Sequence, residues 1–185
     1  MRLISGSAGG IPLDVPKNVT RPTQDRVKQA IFNMLGELVD GARVLDVFAG
    51  SGALGLECLS RGAASAQLIE QDRAACEVIR KNITKTRLEG ALVRQGDVFK
   101  VLPQMAGAAT FDLVFADPPY ANKPGEEDLS LKLALLPELQ ALMAPGGSLI
   151  LECRVTKNAP IEWGPWEMVR DREYGSTRIL WLRKR

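Results

Sequence analysis

Histidine is absent from all 185 residues. That excludes Ser-His-Asp and Cys-His triads, histidine general bases and histidine-ligated metals. Any chemistry falls to carboxylates, backbone groups, Tyr, Lys, Arg or a cofactor. Cysteine is scarce: Cys58, Cys76 and Cys153 are odd in number, far apart and without a Cys-x-x-Cys spacing. They spell neither a disulfide framework nor a zinc site and read as small buried hydrophobes. No metal is expected. No apolar run approaches the roughly 20 residues that span a bilayer, and Met1-Arg2-Leu3-Ile4-Ser5-Gly6 has no signal-peptide apolar region. The expectation is a cytoplasmic protein with no membrane contact.

What remains has the balance of a globular domain, 45% hydrophobic and 25% charged, at a length suited to one domain. A net charge of +2 is too small to announce a nucleic-acid partner. Its distribution says more. Residues 170–185 carry six basic against two acidic side chains, and residues 1–30 carry five against two. The two ends would make one basic patch if the fold brings them together; a solvated tail and helix face is the plainer alternative.

Residues 1–20 are short apolar stretches broken by Gly6, Gly9, Gly10, Pro12 and Pro16, which predict a β-hairpin or extended arm. Residues 21–185 then read as a single domain. Val27, Ala30, Ile31, Met34, Leu35 and Leu38 recur at helical period, with Pro22 and Thr23 before them and Gly41 after. Strands are predicted at 43–48, 66–70, 91–95, 111–116 and 148–152, with helices at 53–61, after Asp72, and from about Leu129 to Met143, bent near Pro137. Trp166 to Tyr174 and Thr177 to Arg183 read as strands joined through Gly175-Ser176, a link that permits only an antiparallel pair. The sum is an alternating α/β domain with an antiparallel hairpin at one edge.

Asp46-Val-Phe-Ala-Gly50-Ser-Gly52-Ala-Leu-Gly55 closes a predicted strand and opens a predicted helix. Gly50 and Gly52 would let the backbone approach a ligand, and Gly55 would let the helix pack on the sheet. Glu70 ends the next strand, where an acid commonly accepts from ribose hydroxyls. Together they point to an adenosine-bearing cofactor. NAD fits the glycines too. Asp46 weighs against it, because an anionic pyrophosphate gains nothing from that charge, whereas the ammonium and sulfonium of S-adenosylmethionine do. Strand-end capping is the plainer reading of Asp46 and Glu70. Asp97, after the third strand, could accept from an adenine amino group or simply cap a helix.

Asp117-Pro118-Pro119-Tyr120 directly follows the fourth strand. Two prolines stiffen the backbone and donate nothing, leaving carbonyl oxygens and a carboxylate as fixed acceptors. Such a cluster suits an exocyclic amine on a nucleobase, whose lone pair is delocalised into the ring. Acceptors holding its two hydrogens favour a tetrahedral, nucleophilic nitrogen, and Tyr120 could stack on the base. A rigid turn is the structural alternative.

These residues resemble the class I S-adenosylmethionine-dependent amino-methyltransferases. Arg21-Pro22-Thr23-x-Asp25-Arg26-Val27, Ile31-Phe32-Asn33-Met34-Leu35, Ser51-Gly52-Ala53-Leu54-Gly55-Leu56-Glu57 and Ser60-Arg61-Gly62-Ala63 narrow the likeness. Nearly the whole chain is similar to the bacterial 16S ribosomal RNA guanine-N2 methyltransferase family. The poorest fit is 121–128. The resemblance implies a Rossmann-like fold, with a seven-stranded, mostly parallel sheet and an antiparallel last strand. It implies methyl transfer from S-adenosylmethionine to a guanine N2 amine of 16S ribosomal RNA in the small subunit, by a monomer. It puts Asp46, Phe48, Ala49, Gly50 and Gly52 around the methionine moiety, Glu70 and Gln71 at the ribose, and Asp97 and Val98 at the adenine. Asp117, Pro118 and Tyr120 would hold the guanine. Thr23 would close over the cofactor, and Arg2, Arg21, Arg26 and Arg178 would meet RNA. The rivals are a DNA adenine-N6 or other nucleic-acid amino-methyltransferase and, from another class, an NAD-binding protein.

Overall fold

Val44 and Leu45 face opposite sides of β1 (Arg43–Asp46), and both are fully buried. A strand apolar on both faces needs helices above and below it. A computed structural model, which describes residues 1–17, 25–107, 110–119, 128–155 and 163–185, shows that arrangement. β2 (Ser65–Glu70), β3 (Ala91–Gln95), β4 (Phe111–Ala116) and β5 (Met143–Arg154) join β1 in a parallel sheet. β6 (Trp166–Tyr174) and β7 (Thr177–Lys184) complete seven strands in the order β3-β2-β1-β4-β5-β7-β6, with β7 antiparallel to both neighbours. The chain builds outward from β1 to β3, then returns to β4 on the other side of β1. Ligands of open α/β sheets bind at such a reversal, beyond the carboxyl ends of the strands.

One face of the sheet packs α1 (Asp25–Leu35), α2 (Ala53–Ser60) and α3 (Arg73–Thr86); the other packs α4 (Val98–Gln104), α5 (Leu129–Ala134) and α6 (Pro137–Leu142). The N-terminal arm doubles back on itself. Leu3 N–H donates to Ile11 O (3.0 Å), and Leu13 N–H to Met1 O (3.0 Å), about a single Arg2–Pro12 bridge. Leu3, Ala8 and Leu13 are buried in the first core. A charged cluster fastens the arm. Glu57 on α2 accepts from Ile4 N–H (2.7 Å), Ser5 N–H (3.0 Å) and Arg61 Nε (2.8 Å), and pairs with Lys28 Nζ at 3.3 Å. Burial pulls the Lys28 ammonium below its ordinary pKa, against the Glu57 charge.

The predicted strands and hairpin form, and three departures have local causes. The first helix ends at Leu35, because Gly36 takes a left-handed φ of +52°; the 3-10 turn at Gly36–Val39 buries Val39 and leaves Leu38 54% exposed. The helix expected from Leu129 to Met143 is two, since Pro137 lacks the N–H a continuous helix needs and instead starts α6. Met143 already belongs to β5. α4, too short for helical periodicity to announce, is seven residues capped by Asp97. The three cysteines are buried and free. No helix of the described residues is long and apolar enough to cross a membrane.

Candidate active site

β1 and β4 lie side by side with Asp46 opposite Phe115, so the Gly-rich loop and Asp117-Pro118-Pro119 leave the sheet together. β2 is in register on the other side of β1, and Glu70 closes it opposite Gln95 of β3. Four sequence-predicted carboxylates, Asp46, Glu70, Asp97 and Asp117, thus stand at the same ends of adjacent strands.

Asp46 is 2% exposed. Its Oδ2 accepts from Gly55 N–H at 3.2 Å, and the Phe48 backbone also donates to it. Burial pushes its pKa up to about 7, the Glu70 charge adds to the rise, and the two backbone N–H groups oppose it. A carboxyl this deep, with these donors among the described residues, gains most from a cation placed beside it. Glu70 is set by backbone: Oε2 accepts from Gly50 N–H (2.9 Å) and Oε1 from Asp72 N–H (2.8 Å). That ties the end of β2 to the glycine loop and leaves carboxylate lone pairs for a ligand.

The three glycines divide the work differently from the sequence expectation. Gly50 (φ +55°) has nothing within 4 Å of where a Cβ would stand. A Cβ on Gly52 (φ +78°) would lie 3.1 Å from Ile79 Cγ2 and 3.1 Å from Leu68 Cδ2, in the core and away from any ligand space. One on Gly55 would meet Leu68 Cδ2 at 3.0 Å, so Gly55 does let α2 sit on the sheet. Gly50 alone combines the permissive backbone with open space.

Asp97 caps α4, its Oδ1 accepting from Phe99 N–H at 2.9 Å. The capping alternative is therefore realised, with Val98 buried beneath it. Phe48 is half-buried, Ala49 buried and Gln71 exposed. Asp117 is half-buried, Pro118 buried and Pro119 exposed at the mouth. Arg21, Thr23 and Tyr120 lie outside the described residues, as does 121–127.

The basic ends are only partly joined. Arg2 and Arg26 line one groove of about 460 Å³ between the arm and α1, with Asp25 and Gln29 beside them. Arg178 is not in it: its guanidinium forks onto Asp171 at 2.9 and 2.6 Å. Strand alternation separates them further. Ile179 and Trp181 enter the core shared with α1 and the arm, while Leu180 and Leu182 enter the other. Arg178 has the parity of Leu180. Arg170 and Arg172, exposed and opposite Trp181 and Ile179, share the face of the arm. The charge count could not show this, but the alternating pattern of β7 could.

Sequence reasoning missed Asn82. It is fully buried on α3, donates to Ser51 O in the glycine loop at 2.9 Å, and exchanges hydrogen bonds with the Asp14 backbone of the arm. Its signal was a polar residue three positions after Ile79 on the inward face of a helix.

A family model with the description "Conserved hypothetical protein 95" matches residues 1–183. The chain belongs to that family. It is 38% identical to YlbH of Bacillus subtilis (strain 168) over 188 residues, covering 100% of both chains. It is 36% identical over 176 residues to Ribosomal RNA small subunit methyltransferase D of Escherichia coli (strain K12), covering 95% of this chain and 85% of that one. The solved structure of yhhF from Escherichia coli matches with a TM-score of 0.82 at 34% identity, covering 100% and 97%. An RNA methyltransferase from Salinibacter ruber, solved in complex with S-adenosyl-L-homocysteine, matches with a TM-score of 0.65 over 88% and 93% of the two chains. At 18% identity that likeness concerns the fold alone. The fold of this family member is the Rossmann-like one of class I methyltransferases.

Proposed function

We propose that the protein transfers a methyl group from S-adenosylmethionine to the exocyclic N2 amine of a guanine in small-subunit ribosomal RNA. The observation that carries it is the junction of β1 and β4, where the Gly-rich loop with its buried acid and the Asp-Pro-Pro turn emerge together. The name of the 36%-identical relative supports the substrate class, and the bound molecule of the Salinibacter ruber structure supports the cofactor.

The residues present fit that cofactor. Gly50 offers open space with no Cβ to fill it. Asp46 is a buried carboxyl wanting a cation, and Glu70 has lone pairs to accept from ribose hydroxyls. Asp46, Phe48, Ala49, Gly50 and Gly52 would hold the methionine end, Glu70 and Gln71 the ribose, and Asp97 and Val98 the adenine, with Thr23 over them. When bound, S-adenosylmethionine supplies a methyl group made electrophilic by its sulfonium.

The chain itself supplies orientation, since an amine held in line needs little more. Asp117 and a proline-locked carbonyl accept the two amine hydrogens and turn the nitrogen lone pair out of the ring. Tyr120 stacks on the base, which must leave its own stack to arrive. Arg2 and Arg26, in the groove, meet phosphates, Arg21 joins them in holding RNA, and Arg178, on the other face of β7, steadies the hairpin through Asp171. Residues 1–20 act as an arm on one catalytic domain, 21–185, working as a cytoplasmic monomer.

Tritiated S-adenosylmethionine with ribosomal RNA and with small subunits lacking the modification tests this reading, followed by mapping of the product. Label at a guanine N2 is the expected outcome; label in naked duplex DNA, or none, overturns it.

A further inference from the structure

Asn82 is buried, polar and unused by the chemistry above. Its Nδ2 donates to Ser51 O and to Asp14 O, each at 2.9 Å, and its Oδ1 accepts from Asp14 N–H at 2.9 Å. Both amide hydrogens and the carbonyl are engaged, a set that neither a carboxylate nor an aliphatic side chain of that size reproduces.

What it holds matters. Ser51 stands between Gly50 (φ +55°) and Gly52 (φ +78°), so side chains on either side do nothing to restrain its peptide. The loop is fixed by hydrogen bonds instead: Glu70 Oε2 on Gly50 N–H, Ala49 O on Gly52 N–H, and Asn82 on Ser51 O. The other peptide Asn82 holds, at Asp14, belongs to the arm. The arm also docks on the far end of α2, where Ser7 N–H donates to Ser60 O (2.7 Å) and Ala8 N–H to Ser60 Oγ (3.0 Å). It therefore reaches the glycine loop through Asn82 at Asp14 and grips the helix leaving that loop at Ser60.

We propose that Asn82 is a positioning residue that makes the arm part of the cofactor site: one amide sets the Ser51 peptide for the cofactor and the Asp14 peptide for the arm. Cofactor binding and arm docking then strengthen each other, and by reciprocity anything that tightens the arm raises cofactor affinity by the same factor. The inference rests on the cofactor reading given above.

The wild-type chain provides the first test, with S-adenosylhomocysteine as probe. Hydrogen exchange at the Asp14 amide slows about tenfold when the probe binds; an Asp14 amide that does not respond while the probe is bound overturns the coupling. The second test uses Asn82→Asp, which keeps the shape and the acceptor but loses the donors, and Asn82→Ala. Both raise the Kd of the probe by about tenfold and raise KM for S-adenosylmethionine with kcat kept within about twofold. Leu142→Ala, a core truncation on the opposite face of the sheet, lowers Tm and leaves Kd unchanged. Asn82 variants that bind like wild type, or a Leu142→Ala variant whose affinity falls as far as theirs, overturn the proposal. A wild-type chain that does not bind the probe overturns the cofactor reading, and this inference with it.

Discussion

Asp46 is the residue whose charge the fold resists most openly. Its folded pKa of about 7 stands well above the roughly 3.9 of an unfolded chain. The folded state therefore binds more protons between those values, and stability falls as pH rises from about 4 to 7, then levels. At 1.36 kcal/mol per unit the full effect is about 4 kcal/mol. Asp112 and Asp171, held low by Arg43 and Arg178, act in the other direction, losing stability as pH falls below the ordinary carboxylate range. Urea midpoints from pH 4.5 to 8 check this: the decline is expected in wild type and absent in Asp46→Asn. A cationic cofactor beside Asp46 restores its charge, so binding at pH 6 releases about one proton. Calorimetry in two buffers of different ionisation enthalpy measures it. Gly50→Ala is expected to weaken cofactor binding with a modest stability cost, whereas Gly52→Ala unfolds the protein more easily because its Cβ meets Ile79 and Leu68. Asp117→Ala should lower methyl transfer about 10²–10³-fold, the usual cost of one preorganised hydrogen-bonding group, with cofactor affinity within a few-fold. The glycines and acids were legible because their chemistry is local. The direction of a Cβ at Gly52 was not, since α3 decides it from residues far along the chain.

At the scale of elements, strands were readable because an apolar run that must be buried on both faces tolerates few alternatives. Helix ends were harder. Nothing around Gly36 announces a left-handed φ, and Leu38 keeps helical spacing while facing solvent. The junction of arm, α1 and α2 was also invisible, because Lys28 and Glu57 look like surface charges on their helices. Both side chains are fully buried. Removing one partner of such a cluster costs about 3–5 kcal/mol, since it strands the other charge. Glu57→Gln would leave Lys28 and Arg61 without their anion and loosen Ile4 and Ser5. Its urea midpoint should fall accordingly, and limited proteolysis should cut the arm first. Lys28→Met should cost less, because Glu57 keeps Arg61 and the Ile4 and Ser5 N–H groups; an equal fall would mean that these partners do not compensate the stranded carboxylate.

For the whole molecule, the question is where RNA lies. Arg2, Arg26, Arg170 and Arg172 share the face of the sheet on which the arm packs. Removing one phosphate-binding cation should flatten the dependence of log affinity on log salt by about 0.7–0.9. Arg2→Ala/Arg26→Ala should weaken small-subunit binding and reduce that slope by about 1.4–1.8. Arg178→Ala should change it by less than one full charge, because Asp171 already occupies its fork. Filter binding at four or five salt concentrations separates these outcomes. An unchanged slope in the double variant would show that the charges serve only solubility.

The arm also sets a timetable. Ile4 waits for Glu57, 53 residues later, and Asp14 for Asn82, 68 residues later. At synthesis rates of about 5–20 residues per second, roughly 3–14 s separate the making of Asp14 from that of Asn82. The core that buries Leu3, Ala8 and Leu13 also draws on Ile150, Ile179 and Trp181, so the arm is made long before the last of the residues that hold it.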